Sequence, residues 1–396
     1  MTDPFHRRTV LQAAAAATLL PWFAKAIAQP SVARLASSGD ATKVATGGSA
    51  WPAWDIFKAQ FVSEGGRVIS EDGTGGQTYS EGQAYALFFA LVANDRPLFT
   101  KVLRWTENNL CDGDMTARLP AWLWGRRPDG TWGVIDGNAA SDADLWIAYA
   151  LGEAGRLWNE RSYRALSELI AARILREATV EIPGLGLTLL PAPKGFVQPD
   201  GRWRLNPSYM PMHQMHWFAT VFPDPQWKKL VDSSLKVIRG ASPKGFTPDW
   251  TVYDAQQGFL VDDQGKEKGQ GTYNAIRVYL WAGVMHRDTP GRKALLETLA
   301  PMVRYVRDRG YPPESIDIVT GQGSGPAPSG FSAAMLPFLR EAGDDKALQS
   351  QRARLDARPL RPTAYYEQVL ALFGLGSFER QYRFTATGQL VVRWKP

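Results

Sequence analysis

The chain has 396 residues, 44% of them hydrophobic, and a formal net charge of +6. Past the first 30 residues no apolar run reaches the length of a membrane span, and Lys and Arg are spread without blocks, which argues against stable membrane insertion and against nucleic-acid binding. Fifteen Trp against four His and one Cys favour flat faces that stack on sugar rings as well as pack, and the single Cys111 excludes an intramolecular disulfide.

The chain opens on "HRRTVLQAAAAATLLPWFAKAIAQ", with Arg7 and Arg8 paired, an apolar stretch, and a small-x-small end at Ala26-Ile27-Ala28. This pattern predicts a twin-arginine-type export signal over 1–28 and a periplasmic or secreted protein. Residues 29–50, rich in Ala, Ser, Gly and Thr, read as a flexible linker, which leaves 51–396 as the folded unit.

From Trp51 onward the dominant periodicity is helical. Helices are predicted near 81–94, 97–110, 141–158, 161–177, 208–221, 226–238, 272–286, 291–307, 331–341 and 363–374, with weaker ones near 52–63 and 346–356. Strand alternation is confined to 178–190 and the tail "YRFTATGQLVVRW". About twelve helices without a parallel-sheet rhythm indicate an all-α domain with loop and short β decorations. The segment 145–158 is apolar nearly all round and should be buried on both sides. By contrast, 161–177 carries Arg161, Arg164, Glu168, Arg173 and Arg176 and belongs outside. Such alternation suits two concentric layers.

Three helix starts place a carboxyl or amide in the first turn: Glu81 in "SEGQ", Asp142 in "SDAD" and Asn274 in "GTYNAIRVYLW". The first two fit the capping-box spacing, Ser80 with Gln83 and Ser141 with Asp144. Acids there are stabilised by the helix dipole, so position alone favours a cap over a proton donor at Glu81. Gly75, Gly76 and Gly82 around it suggest backbone room for a substrate. His213 and His216 have metal-ligand spacing but no acidic third ligand beside them, and are read as packing residues.

The segments "YSEGQAYALFFALVANDRPLF", "RLPAWLWG", "NAASDADLWIAYALGEAGRLW", "NPSYMP", "GFTPDW", "YNAIRVYLW" and "GFSAAMLPFL" resemble, in order, glycoside hydrolase family 8. Within it they are most similar to the periplasmic endo-1,4-β-glucanases (cellulases) of bacterial cellulose-synthesis systems. The resemblance implies an (α/α)6 barrel whose inner helices open their N-termini onto a cleft. It also implies inverting hydrolysis of a β-1,4-glucan chain without metal or other cofactor, with the cellulose synthase complex as a candidate partner.

By the same resemblance Glu81 is the general acid and Asp142 a substrate-binding aspartate, whose charge would keep Glu81 protonated. The family's usual base, an aspartate, falls on Asn274, and an amide cannot accept the water's proton. Asp262, Asp263 and Asp249 are the candidate surrogates. Trp51, Trp54, Trp122, Trp124, Tyr209, Trp250 and Tyr273 are candidates for sugar stacking, about half of them expected to be structural, and Arg277 for holding a carboxylate or a hydroxyl. Two rival readings remain at this stage: a chitosanase or xylanase of the same family, and a catalytically silent glucan-binding protein.

Overall fold

A computed structural model describes residues 51–70, 76–265 and 267–395. The expected export signal and linker, and Gly75, lie outside them. Among the described residues there are twelve α-helices in two sets of six. The inner set is α2 (Ser80–Val92), α4 (Ser141–Leu157), α6 (Met212–Val221), α8 (Ala275–Val284), α10 (Ser329–Glu341) and α12 (Tyr365–Phe378). The outer set is α1 (Pro52–Phe61), α3 (Arg96–Leu110), α5 (Arg161–Glu177), α7 (Gln226–Gly240), α9 (Arg292–Arg309) and α11 (Asp345–Ala357). This is the (α/α)6 barrel that the family resemblance implies, and its two layers are those that the alternation of buried and amphipathic helices suits.

The reason lies in side-chain distribution. Every residue of α8 is buried, as is all of α4 but Gly152 and Arg156. In α5 only Ser167, Ile170, Ala171, Ile174 and Leu175 are. Helices without a polar face must be surrounded, and those with one must close the outside. Glycines let the inner helices approach closely. A Cβ on Gly374 would stand 2.1 Å from the Ala333 carbonyl oxygen, and one on Gly283 would stand 2.3 Å from the Phe338 nitrogen.

Loop lengths are lopsided. Inner helices pass to the next outer helix by short turns, as from Val92 to Arg96 and from Leu157 to Arg161. The return connections are long and carry the strands, all paired antiparallel. One sheet joins β1 (Thr78–Tyr79), β2 (Leu123–Arg126) and β3 (Trp132–Asp136). The pair β4 (Thr179–Ile182) and β5 (Gly186–Leu189) follows, then a sheet of β6 (Trp203–Leu205), β7 (Thr251–Asp254) and β8 (Gly258–Val261). A third sheet places β10 (Pro313–Asp317) between β9 (Gln270–Gly271) and β11 (Gly323–Pro326). Only β4–β5 and the terminal hairpin β12 (Tyr382–Phe384) with β13 (Leu390–Val392) were legible as alternation; the other strands are short and held by pairing. The decorated loops all enter at the N-terminal ends of the inner helices, so that end forms the mouth.

The terminal hairpin packs against the opposite end of the barrel. Buried Glu153 accepts from Trp217 Nε1 at 2.7 Å and from the Leu390 backbone at 2.8 Å, and pairs with Arg156. His213 is fully buried there, its ring stacked on Phe384 at 4.2 Å, whereas His216 meets the Pro290 carbonyl oxygen. The two histidines therefore serve different neighbours.

Candidate active site

Arg277, in the first turn of α8, gathers the mouth of the barrel. Its Nη1 donates to Asp142 Oδ2 and to the Tyr85 hydroxyl, each at 2.9 Å. Its Nη2 donates to Ser208 Oγ at 2.9 Å and to Asn274 Oδ1 at 2.6 Å. The guanidinium also lies over the Tyr209 ring, 5.5 Å from its centre. One buried cation thus ties α2, α4, α8 and the turn before α6 together, and the three helix starts picked out in the sequence meet here.

Glu81 sits at the second position of α2, partly accessible, with Oε1 accepting from Trp122 Nε1 and Oε2 from Ser80 Oγ, both at 3.3 Å. Its pKa is pushed up to about 8, first by burial and second by the charge of Asp142. The expected influence of Asp142 is present, but desolvation outweighs it, which residue spacing could not reveal. Burial pushes Asp142 up too, yet Arg277 opposes that through a direct ion pair, with both side chains buried. Asp142 therefore keeps the charge and Glu81 keeps the proton. A half-buried, protonated carboxyl beside an aromatic N–H is suited to donate a proton to a leaving oxygen.

Neither capping box forms. The chain enters α2 and α4 one residue early, so Tyr79 and Ala140 hold the N-cap positions and the two serines are already helical. Gln83 turns inward instead, accepting from the Val68 backbone at 2.6 Å and donating to Thr106 at 3.0 Å. Asp144 is fully buried, neither carboxyl oxygen has a partner among the described residues, and burial holds it well above the usual carboxylate range. The room expected at Gly82 is filled, since a Cβ there would meet the Tyr365 hydroxyl at 2.7 Å.

The surrogate bases separate clearly. Asp249 caps α8 from a distance: its Oδ1 accepts from the backbone of Thr272 at 2.7 Å, Asn274 at 3.1 Å and Ala275 at 2.8 Å, and Oδ2 accepts from Thr272 Oγ1. Asp262 is buried and gripped by Arg204, through Nε at 3.0 Å and Nη2 at 2.8 Å. Both carboxylates are engaged with structural partners, Asp249 with the start of α8 and Asp262 with Arg204. Asp263 is exposed on the loop after β8, and among the described residues no hydrogen bond or ion pair ties it to the Arg277 cluster.

The aromatic candidates also divide. Trp51 and Trp54 are 4% and 0% exposed and pack on Phe89 and Phe57, so they belong to the core and not to a sugar platform. Trp250 is buried too, with Phe196 stacked at 5.7 Å and the Arg204 guanidinium 4.1 Å from its ring centre. Large aromatics fill cores as readily as they line clefts, and composition alone cannot separate the two. Trp124 is partly exposed but contacts Trp105, Trp132 and Arg67, whose guanidinium lies 4.4 Å from its ring centre. Trp122, Tyr209 and Tyr273 remain with the site: Trp122 on Glu81, Tyr209 under Arg277, and Tyr273 beside Asn274.

Sequence reasoning missed Tyr85, Ser208 and Tyr366. Tyr85 stands one helical turn after Glu81 on the same face, a signal that was available. Tyr366 comes from the first turn of α12, and its hydroxyl donates to the Tyr273 carbonyl oxygen at 2.5 Å. Only the closed barrel brings it there.

The sequence matches the model of Glycosyl hydrolases family 8 over residues 10–380. It is 45% identical over 344 residues to an endoglucanase of Salmonella typhi, covering 87% of this chain and 91% of that protein. The crystal structure of endo-1,4-D-glucanase from Vibrio fischeri ES114 superposes with a TM-score of 0.80 at 43% identity, over 87% of this chain and 99% of that one. Endo-β-1,4-glucanase CMCax from Acetobacter xylinum does so with a TM-score of 0.69 at 27% identity, over 83% and 97%. By its sequence over nearly the whole folded unit, its twelve-helix barrel and its site at the inner-helix N-termini, the chain belongs to glycoside hydrolase family 8.

Proposed function

We propose that the protein is an inverting endo-1,4-β-glucanase acting on cellulose chains outside the cytoplasm, with slow turnover as the sequence stands. The observation that carries the reading is Glu81, a carboxyl held protonated by burial and by Asp142 at the mouth of a family 8 barrel. The glucanase assignment is supported by relatives that are named endoglucanases at 44–45% identity. Export is supported by the Arg7-Arg8 pair and the apolar stretch after it, and a role beside a cellulose synthase by the sequence motifs alone.

Inversion needs a base for the water on the face opposite the acid. Asn274 occupies that family position, and its Oδ1 is already the acceptor for Arg277. The amide's remaining donors can hold a water but cannot take its proton. Asp249 and Asp262 are engaged elsewhere and Asp263 lies exposed on the loop after β8, so the reading is hydrolysis by water that is positioned and weakly activated. The test is reducing-sugar release from soluble cellulose, chitosan and xylan, with cello-oligosaccharide binding measured in parallel. Binding and slow cleavage of the glucan are expected, and faster cleavage of chitosan or xylan would overturn the substrate assignment.

A further inference from the structure

Tyr273 immediately precedes Asn274 and is only partly buried. Its ring is bracketed by groups from three separate elements. Phe331 of α10 meets it edge to face at 5.1 Å, and the ring of Tyr366 lies at 5.9 Å. Its hydroxyl donates to Glu314 Oε1 at 2.8 Å, across 41 residues of sequence. Glu314 stands on β10, the middle strand of its sheet. Ile316 of the same strand pairs with Gly271, two residues before the tyrosine, and Gly325 of β11 lies beside Glu314 with room for the carboxylate. The acceptor is therefore mounted on a hydrogen-bonded sheet anchored to the very segment that carries its donor.

A partly exposed phenol needs no carboxylate to satisfy it, because water can serve instead. What the bond adds is orientation. Phe331 and Tyr366 limit the tilt of the ring, and a fixed hydroxyl removes what rotation remains. A flat face held in advance spares the ordering that binding would otherwise require.

We propose that Glu314 is a positioning residue that holds the Tyr273 ring as a pre-set platform for a glucosyl unit of the substrate beside Asn274. The inference rests on the glucanase reading and deepens it. Glu314 makes no contact with the reacting atoms in this assignment; it acts through Tyr273.

The experiment is calorimetric titration of the full chain with cellohexaose, alongside thermal midpoints. Glu314→Ala should weaken binding about three- to tenfold, the scale of one side chain left to be ordered on binding. Glu314→Gln keeps an acceptor oxygen and should bind within about twofold of wild type. Tyr273→Phe should match Glu314→Ala, and the double variant should lose no more than either alone, as expected for two groups in one interaction. Unchanged affinity in Glu314→Ala would overturn the proposal. So would a lowered thermal midpoint in Glu314→Ala with normal cellohexaose binding by Tyr273→Phe, which would assign Glu314 to fold stability. If the wild-type chain itself fails to bind cellohexaose, the glucanase reading falls and this inference falls with it.

Discussion

Trp122 donates its indole N–H to Glu81 across 3.3 Å, so a residue at the edge of the β1–β2–β3 sheet orients the carboxyl at the start of α2. Glu81→Gln keeps the shape and the acceptor for Trp122 but removes the acid. Hydrolysis of soluble cellulose should fall about 10²–10⁴-fold, with cellohexaose affinity nearly unchanged. Retention of more than about a tenth of wild-type activity would show that Glu81 is only a helix-start residue.

The same residue makes stability depend on pH. Glu81 binds its proton up to about pH 8 in the folded chain, against an ordinary value of 4.5. Between those values the folded state holds more protons than the unfolded state. Its contribution is therefore fully present below about pH 4.5 and lost as pH rises through about 8. Glu81→Gln cannot titrate, so its melting midpoint should gain on wild type progressively as pH rises through that range, by several degrees in all. Parallel midpoint curves would remove Glu81 from the protonated state assigned here.

Asp142 supplies the second cause of the raised Glu81 pKa. Asp142→Asn removes that charge and leaves Arg277 unopposed beside Glu81, and both changes favour the ionised acid. The alkaline limb of the pH–rate profile should move to lower pH. Burial remains, so it should not reach the range of an exposed carboxylate. A limb that stays in place would limit Asp142 to binding substrate.

Asn274→Asp restores a carboxylate where Arg277 already donates at 2.6 Å. We expect kcat to rise about a hundredfold or more, the scale of a general base. Asp262→Ala should instead leave Arg204 buried without its partner and act mainly on stability. Brisk turnover by the unmodified chain, abolished by Asp263→Ala, would identify a surrogate base and reverse this expectation.

Trp54 is wholly buried against Phe57 and Phe89. Trp54→Ala should cost about 3–5 kcal/mol of stability by opening a cavity. Cellohexaose affinity at a temperature where the variant stays folded should be unaffected. A loss of affinity without a loss of stability would return Trp54 to the cleft.

The sequence by itself placed α4 inside and α5 outside, because α4 lacks a polar face and can be stable only when surrounded, whereas α5 carries one. It also placed Glu81, Asp142 and Asn274 at helix starts, and the family motifs supplied their roles. Local pattern failed wherever a partner comes from far along the chain. Asp249 caps a helix some two dozen residues later in sequence, as its bonds to Thr272 and Ala275 show, and no local motif announces it. Trp54 and Trp122 are the same residue type in similar aromatic stretches, yet one fills the core and the other bonds the acid. Only barrel closure decides which, because burial and proximity are properties of packing. The proton on Glu81 follows the same rule: a helix terminus favours the ionised form, and desolvation inside the assembled mouth, with the charge of Asp142, outweighs it.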